Sequence, residues 1–153
     1  MTLKTNKIYP RDGLPSGSSG GIIQVKQTLW SAHATYTNAS FAALGITCAI
    51  TPQSASNKIL VTLNLSVEVR SASIVAIELT RGGTSIFTNE GGMRGDGTAQ
   101  GGYVSMTYLD SPASTSALTY GVQTRTSNST YAINNYIGSG PCNSFLTLME
   151  VSG

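Results

Sequence analysis

Residue types able to do covalent chemistry are sparse in this chain. It has one histidine, His33, seven carboxylates and two cysteines, Cys48 and Cys142. A catalytic histidine needs an orienting carboxylate and a nucleophile, and a metal centre needs several ligands at ligating spacing. No such partner is spaced around His33. Gly17-Ser18-Ser19-Gly20-Gly21 carries the letters of the G-x-S-x-G nucleophile elbow. That device requires a strand, a strained turn and then a helix. Here a strand pattern follows the motif and none precedes it, so the stretch reads as linker. Neither a cofactor nor a metal site is expected, and the expectation is a protein that is not an enzyme.

Binding chemistry has more candidates. Asn89 to Gly102 contains six glycines and includes Met93-Arg94-Gly95-Asp96. A phosphate cradle would need a lysine and a helix N-terminus after the glycines, and both are missing. Arg94-Gly95-Asp96 is also the tripeptide that adhesive proteins use, but three residues recur by chance. The simpler expectation is a long exposed contact loop at one end of the fold, with Met93, Arg94 and Asp96 as its contact residues. Tyr103, Tyr108, Tyr120, Tyr131 and Tyr136 fall on three successive strand patterns, where they serve either as ordinary cross-strand pairs or as a stacking surface for sugars or a subunit. Asn38, Asn64 and Asn128 open glycosylation-type triplets, which a chain so rich in Asn, Ser and Thr produces by chance. Cys48 sits in an apolar strand as a small hydrophobe, and Cys142 in a turn as a free thiol.

Composition limits the partners. Only 10% of the 153 residues are charged, against about 25% in ordinary soluble domains. Hydroxyls supply the polarity instead, with 39 Ser and Thr. The net charge is +2, and the basic residues stand singly, so no nucleic-acid groove is expected. No apolar run approaches the length of a membrane span, and no signal peptide is read at the start.

The elements that must position these residues are strands. No window keeps the i, i+3, i+4, i+7 stripe of a helix, whereas period-two alternation recurs. Residues 1–21 stand apart as an extended arm ending in a Gly/Ser linker, held out of helix by Pro10 and Pro15. About 20 extended residues reach about 65 Å. Residues 22–153 form the domain. Ile23, Val25, Gln27 and Leu29 share one face of the first strand; Trp30, Tyr36 and Phe41 are core anchors; Ile46, Cys48 and Ile50 alternate inward. The clearest strand is 58–70, with Ile59, Val61, Leu63, Leu65, Val67 and Val69 on one face and Leu60 as the exception on the other. Arg81-Gly82-Gly83-Thr84 reads as a hairpin turn. Further strands follow over 103–109, 117–125, 130–137 and 145–151. Eight to ten short strands with no helix between them imply an all-β, antiparallel β-sandwich of jelly-roll type, with an extended N-terminal arm.

Gly20-Gly21-Ile22-Ile23-Gln24-Val25-Lys26-Gln27, Ile50-Thr51-Pro52 with Ser56-Asn57-Lys58-Ile59-Leu60-Val61, Leu109-Asp110-Ser111-Pro112-Ala113, Thr119-Tyr120-Gly121-Val122-Gln123 and Leu146-Thr147-Leu148-Met149-Glu150-Val151 occur in that order. Together, over residues 20–151, they resemble small β-rich virion proteins of tailed bacteriophages, of the marine and cyanobacterial type. The resemblance implies a non-enzymatic structural role and assembly as a homotrimer, in the virion after assembly in the host cytoplasm. A short arm without a long shaft favours a capsid decoration or cement protein, or a short head fibre, clipped to the major capsid protein or another virion protein. Leu3, Ile8, Tyr9 and Leu14 are the expected anchors, docking by strand addition. The alternative is a tail-fibre or receptor-binding component that recognises a host surface glycan. A carbohydrate-binding module or a hydrolase from outside a virion is a third reading.

Overall fold

Strict alternation decides the strand on which the rest of the fold is hung. In a computed structural model that describes residues 21–127, 130–135 and 142–153, Ile59, Val61, Leu63, Leu65, Val67 and Val69 are each at most 1% exposed. Among the described residues there are ten strands: β1 (Ile22–Trp30), β2 (Ala34–Tyr36), β3 (Ala42–Ile50), β4 (Lys58–Val69), β5 (Ile74–Arg81), β6 (Thr84–Arg94), β7 (Gln100–Asp110), β8 (Leu118–Thr126), β9 (Tyr131–Ile133) and β10 (Ser144–Val151). The expected arm, with Leu3, Ile8, Tyr9 and Leu14, lies outside the described residues, as does Tyr136.

Every pairing is antiparallel, and the pairs are nested. β1 pairs β10, β2 pairs β9, β3 pairs β8, β4 pairs β7 and β5 pairs β6. The chain therefore doubles back on itself as one long hairpin. Its tip is Gly82-Gly83, both at positive φ, as a two-residue primed turn requires. Further pairings of β4 with β10 and β9, and of β5 with β8, close two sheets. The first sheet contains β1, β2, β4, β7, β9 and β10, and the second runs β3-β8-β5-β6. Their inner faces enclose one core, with Leu44, Ile46, Cys48 and Ile50 of β3 and Val75, Ile77 and Leu79 of β5 facing the β4 row. The protein is an antiparallel β-sandwich, with no helix among the described residues.

In the first sheet, β1 and β2 form one broken lane and β10 and β9 the next. Asn134 fastens both breaks. It takes the left-handed conformation at φ 55°, which asparagine tolerates better than most residues. Its Nδ2 donates to the Trp30 and Ala32 carbonyls at 2.8 and 3.1 Å, and its Oδ1 accepts from Ser144 Oγ at 2.6 Å. Ser144 Oγ in turn accepts from the Ser66 amide of β4.

Several expectations are corrected here. On β1 a bulge between Ile22 and Gln24 separates Ile23 from the expected face of Val25, Gln27 and Leu29, and that face looks away from the core: Val25 is 52% and Leu29 56% exposed. Trp30 and Tyr36 pack against the core, but Phe41 lies under the Arg125 guanidinium, 5.2 Å from its centroid. The expected long glycine loop is short, because β6 runs on to Arg94 and β7 starts at Gln100. The strand expected over 130–137 is described only as β9.

At one end of the sandwich a buried carboxylate joins β10 and β1 to the link between β3 and β4. Glu150 of β10 accepts from Gln24 Nε2 at 2.6 Å, the Gln53 amide at 2.7 Å and Asn57 Nδ2 at 2.6 Å. Burial alone would push its carboxyl up, but these bonds and one from the Ser54 amide outweigh burial and hold it below its ordinary value. A lowered folded value means that the stability it contributes is fully present above the unfolded value of about 4.3 and is lost as pH falls through the folded one. Glu150→Gln is expected to cost about 2–3 kcal/mol at pH 7. It should also flatten the loss of stability between about pH 5 and pH 3. Thermal melts of both proteins across that range check this; parallel pH profiles would contradict it.

Candidate functional site

The ladders give the sandwich two distinct ends. Lys58 of β4 lies beside Val151, which pairs Ile22, while Asp110 lies beside Ile59. Gly21 is fixed there too: its carbonyl accepts from the Ser152 amide and its own amide donates to Ser152 Oγ. At the other end, Val69 faces Gln100 and Tyr131, and Ile74 faces Arg94. The end where the described chain begins and the end that carries the Arg94–Asp96 turn are thus separated by the length of β4, roughly 40 Å at about 3.3 Å per residue.

The turn itself is built by close approach. A Cβ on Gly95 would stand 2.3 Å from the Ser71 carbonyl oxygen and 2.9 Å from Val69 Cγ1; one on Gly92 would meet Ile77 Cδ1 and the Val75 oxygen, each at 2.9 Å. The Gly95 amide donates to the Ser73 carbonyl at 2.9 Å. Glycine is required here because β6 lies against its neighbours, so the glycine count signals packing. Asp96 is exposed and accepts from the Thr98 amide at 3.0 Å and Thr98 Oγ1 at 2.8 Å. Those two bonds hold its carboxyl below the usual range. Arg94 is exposed, but Met93 is half-buried and packs on the core. Of the three expected contact residues, two face solvent on a pinned turn and the third is structural. Nearby Arg70 is bound to Glu68, which also accepts from Asn135 Nδ2.

The tyrosines do not form one surface. β7 and β9 lie on opposite sides of β4, and β8 belongs to the other sheet. The Tyr120 hydroxyl donates to Asp110 at 2.6 Å, and Arg81 Nη1 binds the same oxygen at 2.5 Å. Burial, then the Asp110 carboxylate, raises the Tyr120 phenol well above its ordinary value. Tyr131 is bonded to Thr124 and Asn38 and stacks on Tyr36 at 5.5 Å. Tyr108 stacks on Phe87 across the sheets at 5.3 Å. Only Tyr103, among the described tyrosines, is largely exposed, at 55%.

The buried carboxylates Glu68, Asp110 and Glu150 each bind side chains of the fold. His33 is exposed in the link between β1 and β2. Cys48 is buried and Cys142 half-exposed, both as free thiols. A shallow groove of about 300 Å³ lies on the outer face of the second sheet, where β3 bulges at Gly45 (φ +84°). Gly121 floors it, and Thr47, Thr80, Thr119 and Gln123 line it, a setting that offers hydrogen bonds but no aromatic platform.

Sequence reasoning missed the outer face of the first sheet. Its signal was present in β10, which is apolar on both sides: Leu146 and Leu148 point inward, Phe145 and Met149 outward. A strand that is apolar on both faces is normally covered on both. No protein-family model matches the chain, and no curated protein matches it.

Gly95→Ala is expected to destabilise the domain by about 1–3 kcal/mol through overpacking against Ser71 and Val69. Arg94→Ala, on the exposed side, should stay within about 0.5 kcal/mol. Denaturant unfolding of the two variants tests this, and equal effects would refute the packing account of the turn.

Proposed function

We propose that this chain is a non-enzymatic structural protein of a tailed-phage virion: a capsid decoration or cement protein, or short head fibre, anchored through residues 1–20 and assembled as a homotrimer. The observation that carries the reading is the opposition of the two ends. Residues 1–20 lead into Gly21 beside Ser152, at the far end of β4 from the exposed Arg94 and Asp96. An anchor at one end leaves the other free to face outward. The nested pairing of first strand with last, down to β5 with β6, supports the jelly-roll expectation, an architecture common in viral capsid domains. The engagement of Glu68, Asp110 and Glu150 within the fold is in keeping with a structural role.

The test is cosedimentation of the purified chain with tail-less capsids of a phage whose genome carries it. The full chain should pellet with the capsids, and a chain lacking residues 1–20 should remain in the supernatant with an unchanged melting curve. Binding that survives the deletion would overturn the anchoring role. Failure of the full chain to bind capsids, together with retention on isolated host polysaccharide, would transfer the assignment to a receptor-binding component.

A further inference from the structure

We infer that a second copy of this chain covers the outer face of the first sheet. The inference rests on the homo-oligomer proposed above and names the surface that would form it.

The registers fix what that face presents. Val25, Met149, Leu60 and Leu109 stand in one row across β1, β10, β4 and β7. Ile22 and Val151 lie on one side of this row. On the other, a row of Gln27, Thr147, Thr62 and Thr107 separates it from Leu29 and Phe145. Ile22, Val25, Leu29 and Leu109 are 55, 52, 56 and 48% exposed. A solvated sheet face normally alternates to polar residues, and monomers rarely expose apolar patches beyond a few hundred Å². At its centre, Thr62 Oγ1 is shielded from solvent and has no hydrogen-bond partner, beside a depression of about 430 Å³.

Charge and area select the occupant. Across these rows Lys58 is the one charged residue, the Glu68–Arg70 pair lying beyond them toward Val69, whereas the outer face of the second sheet carries the Arg125–Glu90 pair and Glu78. A charged partner would gain almost no ion pairs here. Around the three-fold axis of the proposed trimer each such face meets the equally uncharged surface of its neighbours, without stripping water from formal charges. Four lanes at about 4.8 Å and seven residues at about 3.4 Å give a flat footprint of roughly 450 Å². Side-chain relief raises this toward the roughly 800 Å² that each partner gives a standard interface. A single extended segment would fill one lane and leave the others exposed; a flat, domain-sized partner fits the width.

Light scattering during gel filtration tests the inference, with melting curves taken on the same samples. The wild-type chain should run at a multiple of 15.9 kDa. Val25→Glu and Leu109→Arg should weaken association at least tenfold and shift the mass to monomer. Both positions face outward, and Thr107→Arg in the neighbouring row supplies an independent variant should either misfold. Thr119→Glu, on the outer face of the second sheet, should leave the mass unchanged. A monomeric wild type overturns the inference and the homotrimer with it, while the capsid-binding assay judges the capsid role and the anchoring separately. An oligomer whose mass survives all three first-sheet substitutions keeps the oligomer and removes this face from it. Dissociation on deletion of residues 1–20 alone, with the first-sheet variants still assembled, would give the contact to the arm and overturn the inference as well.

Discussion

The fold depends on β4 being paired along both edges while its inner face stays dry. β7 follows it from Ile59 to Val69 on one side, and β10 and then β9 follow it on the other. A one-residue slip of any of these partners would turn its core side chains outward, so the six buried residues of β4 set the register for the whole first sheet. In the second sheet β5 is likewise paired along both edges, by β6 and β8, with Val75, Ile77 and Leu79 dry, but it is shorter. That sheet's ladders carry bulges at Ala43/Thr47 and between Val75 and Ile77, and its core side chains pack against the β4 row.

With so few charges, the sandwich closes its ends through hydroxyls, amides and a few desolvated carboxylates. Glu150 ties β10 to β1 and to residues 53–57. Asp110 ties β7 to β5 and β8 through Arg81 and Tyr120. Tyr131 ties β9 to β8 through Thr124 at the opposite end. At each point a donor or acceptor buried by the core finds a partner, as buried polar groups do: on the facing sheet for Asp110 and Tyr131, and on β1 and the link between β3 and β4 for Glu150. The same logic holds the broken lanes together at Asn134. These polar clamps also fix how the sheets sit on each other, which apolar contact alone leaves loosely specified.

Much of this was legible in the sequence, and the misses have physical causes. Alternation gave β4 its span and its inward face, and the Gly82-Gly83 turn followed from its letters. Alternation does not say which side of a strand meets the core, however. On β1 the apolar side chains of Val25 and Leu29 look outward, while Thr28 and Gln24 reach across to the carbonyls of Thr47 on β3 and Thr51 just beyond it. The glycines of 91–97 suggested slack, yet Gly92 and Gly95 are there because backbone and side chains press against them. The five tyrosines were grouped by adjacency in sequence, but nested pairing places successive strands in different sheets. Of the candidate contact residues, Arg94 and Asp96 face solvent, and Met93 belongs to the packing.

Val25 and Leu29, which alternation places on one side of β1, lie on the first sheet's outer face: the Val25 row continues through Met149, Leu60 and Leu109, and Leu29 lies beside Phe145. A single exposed leucine on a strand needs no explanation. Four aligned lanes of apolar and hydroxyl side chains, opposite a second sheet that keeps its charges outward, are harder to attribute to chance. The contrast is local: the rows from Ile22 to Phe145 on the first sheet carry Lys58 as their one charge, with the Glu68–Arg70 pair beyond them, whereas the second sheet's outer face carries the Arg125–Glu90 pair, Glu78 and the cation–π contact to Phe41. The ends differ as well, with Gly21 and Ser152 paired at one and the pinned Asp96 turn at the other. A molecule whose faces and ends are both unequal has the asymmetry that a subunit needs if it is to be held at a fixed orientation within a larger assembly.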